Sequence, residues 1–369
     1  MGQYTKIDDA SSHFQIINWT GNTTTPRDIT HTGNSELKPD IHWAKTIDSA
    51  GTDHRLYDSN RGLGTERSLQ PNSNAAEATG TTYGIISHFL TNGFTTAAGG
   101  TNDDNYNENG KKHIAFSWKV NGGTTASNTD GDVTSTVQVN QNAGISIVTW
   151  DGADTNNKTI GHGLGQTPEF IIVRNRTRTE DWSVFHRSMG GETNRTRSNT
   201  GGLRLNETDA VNLTATTLYR ASPTSSVFEV GSDFRNNGNY PLVAYVFANS
   251  QGFSHFGDYK GNGQSAGNGP YVWCGFKPKW LMIKPNSGGV AHWFMHDSVR
   301  SPTNVMDDYL AANTNSVQGT SSTLNIDFVS NGFKIRGNNN TNFANTNYIF
   351  WAMAEAPFVS GTGVPTTAK

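Results

Sequence analysis

The chain has 369 residues, 16% of them charged and 33% hydrophobic, with a formal net charge of −3. So even a balance offers no basic field for nucleic acid, and no apolar run is long enough to cross a membrane as a helix. Aromatic residues reach 10%, nine of them Trp, beside 40 Gly, which points to small aromatic-anchored cores between many polar turns rather than to disorder.

Residues 1–12 are polar and read as an N-terminal arm without the apolar core of a secretion signal. The expectation is a protein folded in the cytoplasm of its host cell and released by lysis. A first unit spans 13–118, with strands expected at Phe14–Trp19, Ile41–Ile47, Tyr83–Leu90 and Ile114–Trp118, and a turn at Asn92-Gly93. Residues 119–144 carry little apolar content at their start and read as a linker or long loop. A second unit spans 145–250 and a third 251–358, joined so closely that they should dock rigidly. In the third, strands are expected at Val272–Phe276, Trp280–Lys284, Leu324–Val329 and Tyr348–Met353, and Asp307–Asn313 is the best short helix. Residues 359–369 read as a flexible tail.

The three units are degenerate copies of one pattern. An aromatic residue leads closely to Gly (Trp19 to Gly21, Trp150 to Gly152, Tyr259 to Gly261). A Pro then precedes a basic residue at one fixed spacing: Pro39 and Lys45, Pro168 and Arg174, Pro278 and Lys284. Closing strands follow at 114–118, 243–247 and 349–353. Trp43, Trp182 and Trp293 hold similar places and read as core. The fold class expected is all-β, as three tandem β-sandwich domains of jelly-roll type.

Candidate chemistry is sparse. Asp58 with Arg61, and Asp297 with Arg300, stand at one spacing around a turn and read as a structural brace; His186 replaces the Asp in the second unit. As a sugar-cleaving pair, Asp58 and Asp297 would join Asp181 as the only repeated acids. Arg176, Arg178, Arg195 and Arg197 form a basic loop interrupted by acids, a candidate binding surface. His31, His162, His186, His292 and His296 lack metal-ligand spacing, and Asp103, Asp104 and Glu108 lack that of a calcium loop, so no metal or cofactor is expected. The single Cys274 lies in an apolar strand and reads as a buried thiol. Nothing here marks a catalytic centre.

Taken together, His162–Arg174, Asp181–His186, Leu203–Asn206 with Ala210, Ser226–Gly231 and Asn239–Ala248 resemble an uncharacterised repeat of virion proteins from tailed, particularly marine, bacteriophages. Tyr259–Gly263, Gly275–Pro278, Asp297–Arg300 and Asn331–Phe333 are similar to an adjoining copy, and Leu69–Ala76 with Asn92–Phe94 carry the pattern more weakly. The resemblance implies a structural, tail-fibre-like role with no known catalytic position. The leading expectation is a short tail fibre on the virion, an oligomer such as a trimer, contacting other virion proteins and host-surface glycan. The alternatives are a head decoration or connector without receptor binding, and a glycan depolymerase.

Overall fold

A computed structural model describes residues 5–64, 67–99, 105–153, 157–190, 201–212, 219, 221–233, 235, 237–265, 267–288 and 290–365. The first unit contains β1 (Phe14–Thr20), β2 (Arg27–Thr30), β3 (Ile41–Thr46), β4 (Arg55–Asp58), β5 (Ile85–Leu90), β6 (Gly93–Ala97) and β7 (Lys112–Trp118). The next stretch supplies β8 (Ala126–Asn128) and β9 (Ser135–Asn140). The second unit continues with β10 (Ile145–Asp151), β11 (Lys158–Gly161), β12 (Phe170–Asn175), β13 (Ser183–His186), β14 (Leu203–Arg204), β15 (Val227–Val230) and β16 (Pro241–Phe247). The third holds β17 (Ser254–Lys260), β18 (Tyr271–Trp273), β19 (Phe276–Pro285), β20 (Phe294–Asp297), β21 (Asp308–Ala311), β22 (Gly319–Thr320), β23 (Ile326–Val329), β24 (Gly332–Ile335) and β25 (Asn347–Pro357).

The chain is an all-β sandwich protein, and one strand order recurs in it. Each unit pairs its first strand with its last, the last with the proline-led strand, and that strand with the one after it: β1-β7-β3-β4, β10-β16-β12-β13 and β17-β25-β19-β20. A smaller sheet covers one face of each: β2-β6-β5, β11-β15 and β18-β24-β23. First strand against last, with the second strand in the facing sheet, is the nesting of a jelly roll. The glycine after each leading aromatic is required by packing. A Cβ on Gly21 would meet Glu108 O at 1.9 Å, one on Gly152 would meet Gly238 O at 1.8 Å, and one on Gly261 would meet Phe343 O at 2.3 Å.

Side chains alternate across a strand, so each large sheet has a second face to cover. Ile17, Trp19, Ala44 and Ala115 point to the small sheet of the first unit, while Ile16, Trp43, Phe116 and Trp118 join a core shared with the other two units. Both β3 and β12 are consequently buried at every position. The Trp351 ring sits among Trp280 at 4.7 Å, Trp118 at 5.4 Å, Phe247 at 4.5 Å and Phe170 at 5.4 Å, contacts drawn from all three units.

The units close into a ring through equivalent bonds. Trp182 Nε1 donates to Gln70 O (2.9 Å), Trp293 Nε1 to Arg204 O (3.0 Å), and His54 Nε2 lies 3.1 Å from Ala311 O. Two residues beyond each repeated basic residue, a carbonyl accepts a backbone N–H from the same neighbouring unit: Glu77 N to Arg176 O, Val211 N to Asn286 O, and Gln318 N to Ile47 O. Thus the second unit grips the first, the third grips the second, and the first grips the third. Heterologous contacts of one kind either propagate or close, and here they close after three steps.

Several expectations are corrected. Residues 119–144 are not a linker: β8 and β9 extend the second unit's large sheet, because Val137 is buried against its core, with Val139 packed alongside. Asp40 anchors the start of this stretch by accepting from Val120 N (2.5 Å) and Gly122 N (2.8 Å). The arm is also built in, since Ile7 and Ala10 enter the shared core and Thr5 Oγ1 donates to Gln251 O (2.7 Å). Of the tail, Val359 bridges to Pro365 and Gly361 N donates to Asp8 (2.5 Å); residues 366–369 lie outside the described residues. Asp307–Asn313 is not helical: Asp308–Ala311 is a strand paired with β20, which satisfies a backbone too short to sustain a helix. Trp43 does not match Trp182 and Trp293. His54 holds that place, with Trp43 Nε1 donating to it at 3.0 Å.

Candidate functional site

Both Asp/Arg pairs are interior. Asp58 accepts from Arg61 N (2.8 Å) and Arg61 Nε (2.5 Å), and Asp297 from Arg300 N (2.9 Å) and Arg300 Nε (2.5 Å). The Asp58 pair is fully buried and also takes the Tyr245 hydroxyl of the second unit at 2.7 Å. Burial alone would weaken proton binding at Arg61, but Asp58, Tyr245 and Glu77 raise it, so the guanidinium stays charged. In the second unit, His186 Nδ1 accepts from Ser188 N and Nε2 lies 3.2 Å from Phe350 O, replacing the carboxylate. Neither Asp58 nor Asp297 can reach a polymer from these positions.

Arg176 pairs with Glu77 across the joint between the first two units at 2.5 Å. Arg178 bonds Glu180 at 3.2 Å and the Tyr240 hydroxyl at 2.9 Å. Arg195 and Arg197 lie outside the described residues, as do Asp103 and Asp104. Two of the three repeated basic residues serve the joints: Arg174 donates to Asn74 O and Ala75 O, and Lys284 to Thr208 O, whereas Lys45 donates to Thr46 O and Thr52 within its own unit. Burial pulls Lys284 down to about 7 and Lys45 down to about 8. Cys274 is buried, and burial pushes its thiol well above the ordinary range, which leaves it unreactive.

The accessible chemistry lies between the second and third units. An open cleft of about 550 Å³ runs along β17, lined by Tyr271 and Trp273 of the third unit and by Glu169 and Arg187 of the second. Alternation on the short strand β18 turns Val272 inward and leaves Tyr271 48% and Trp273 59% exposed. The Trp273 ring is seated: a Cβ on Gly275 would meet it at 3.0 Å, and its edge contacts His255 at 5.7 Å. His255 stacks on Phe350, and burial lowers its pKa, which keeps the imidazole neutral at pH 7. Arg187 reaches Glu169 at 2.6 Å with its own side chain 57% exposed. Burial raises the Glu169 pKa and Arg187 opposes the rise. A second hollow of about 380 Å³, lined by Cys274 and Phe358, shares Trp273 and His255 with the first.

The other two units act as internal controls for this site. Ladder register matches Val272 opposite Phe333 with Ile160 opposite Phe228 and Ile29 opposite Phe94. The positions of Tyr271 and Trp273 therefore correspond to Thr159 and Gly161, and to Asp28 and Thr30. The fold forms twice without aromatic residues there, so packing does not demand them. In the sequence both residues sit in an apolar run beside Cys274, which disguises them as core. Comparison of the three units at these positions would have exposed the difference.

The chain belongs to a family described as a domain of unknown function (DUF7483), whose model matches residues 9–357. No curated protein and no solved structure matches the chain.

Proposed function

We propose that this protein is a non-catalytic structural component of a tailed-bacteriophage particle, most simply a short tail-fibre-like appendage, that attaches the particle to glycan on the host surface. The observation carrying the attachment reading is the pair of exposed aromatic residues, Tyr271 and Trp273, beside charged groups in an open cleft. Flat aromatic faces with polar groups at their margin suit sugar rings, which present apolar C–H faces and polar edges. The particle reading draws its support from the repeat motifs around His162–Arg174 and Tyr259–Pro278. Partners under this reading are other virion proteins and host glycan, with no cofactor.

Gold-tagged antibody against the protein, applied to intact particles and viewed by electron microscopy, tests it. Label at the tail is the expected result. Label over the head would transfer the protein to the decoration reading, and its absence from particles would overturn the proposal. Release of reducing ends from a bound polysaccharide would instead restore the depolymerase reading.

A further inference from the structure

Units one and two show what normally closes the side of the sandwich where the cleft lies. In the second unit, β9 pairs with β10, the strand equivalent to β17, and the Gln138 side chain reaches back to Val120 O. In the first, Gln15 on the edge strand β1 bonds Ser11 O and Ser35 O, and Gly33 N donates to the Gln15 side chain. On the third unit the corresponding edge, β17, borders the open cleft. An incoming strand would be the obvious occupant, but the outward Phe256 N–H is already taken by Asn249 Oδ1 at 2.8 Å. The equivalent residue in the second unit is Ile147, which lies opposite Gln138 of β9. A side chain capping an edge in this way opposes strand addition.

The geometry points to a neutral saccharide chain as the ligand of this cleft, stacked on Trp273 and Tyr271 and hydrogen-bonded at vicinal hydroxyls by Arg187 and Glu169. This rests on the attachment reading above and names its ligand. Arg187 offers a planar fork, and the Glu169 carboxylate accepts, a combination matched to adjacent hydroxyls on a ring. Two carboxyl groups, Glu169 and Asp258, line the cleft against one guanidinium, with His255 uncharged, so an acidic polysaccharide meets excess negative charge. Gly275 beneath the Trp273 ring and His255 at its edge hold the platform in place before the ligand arrives.

Affinity electrophoresis in gels cast with dextran, mannan, galactomannan or alginate tests this on the whole chain. The expected result is retardation by at least one neutral polysaccharide and none by alginate. Trp273→Ala and Arg187→Ala should each weaken the apparent affinity about tenfold, the effect of losing one stacking or charge-assisted contact. Both residues are more than half exposed at the side chain or residue level, so an unchanged melting temperature verifies the fold of each variant. Retardation by alginate alone, by no neutral polysaccharide, or equally for wild type and Trp273→Ala overturns the assignment. Occupation of the cleft by a peptide spanning Ser135–Asn140, in place of sugar, would also overturn it in favour of a strand partner. Loss of the site with antibody label still at the tail would spare the particle reading. Sugar binding by a protein absent from particles would spare the site.

Discussion

Asp58 accepts from Arg61 twice and from Tyr245 once, all without contact with solvent, so its removal would leave the buried guanidinium with the Glu77 carboxylate at 3.2 Å as its remaining counter-charge. We expect Asp58→Ala to cost about 3–5 kcal/mol, read as a lower denaturant midpoint, because breaking one side of a buried pair loses more than the pair contributes. Asp297→Ala should behave similarly, since the Arg300 side chain is equally enclosed. The local part of these braces was legible from the spacing of Asp and Arg around a turn. The attachment of the Asp58 brace to the second unit through Tyr245 was not, because the two residues come together only when the units close. Trp273 shows the opposite limit: its type and number suggested core packing, and only its phase on a three-residue strand turns it outward.

Among the elements, β9 separates a sheet from a linker. Val137 packs in the second unit's core, so Val137→Asp should cost about 2–4 kcal/mol by burying an unpaired charge, whereas a linker would accept it silently. Thermal melts of the two proteins distinguish the cases. The alternation Ser135–Asn140 was present in the sequence, but the polar stretch ahead of it concealed a strand that pairs at long range. The repeated Asn residues follow the same logic. Asn72, Asn206 and Asn313 accept from the backbone N–H of His54, Trp182 and Trp293, the residues whose rings make the ring joints. Asn206→Ala should cost roughly 1–3 kcal/mol by leaving the buried Trp182 N–H without its acceptor. These side chains hold the joints in shape.

For the whole molecule, closure of the ring means that the units share their largest core. Each buried aromatic ring removes on the order of 150–250 Å² from water, at most about 4–6 kcal/mol, against roughly 1 kcal/mol for each joint hydrogen bond. The aromatic centre therefore dominates, and calorimetry should show one cooperative transition rather than three. Three-fold packing is also satisfied within one chain, so light scattering should report a monomer, against the trimer that the tail-fibre resemblance led us to expect. Acid should unfold it. Burial lowers His31, His113, His162 and His186 to about 4 and His54 and His296 to about 3, below the ordinary value of 6.5. The unfolded chain then binds more protons below pH 6.5, so stability present above that value is lost as pH falls towards 4. At roughly 3 kcal/mol for each fully titrated histidine, a few of them match a typical stability of about 5–15 kcal/mol. A rising melting temperature from pH 4 to pH 7 is the expected record.

The repeat count and all-β class were legible because short apolar runs and turn residues are local signals. Ring closure was not, since its bonds join carbonyls and N–H groups that every residue carries. Together they lead to a body with three copies of one fold but, among the described residues, a single aromatic cleft. Isothermal titration of the whole chain with an oligosaccharide from a retarding neutral polysaccharide measures this directly. The account predicts one site per chain, weakened about tenfold by Trp273→Ala. Three sites per chain, or one site untouched by that substitution, would contradict it.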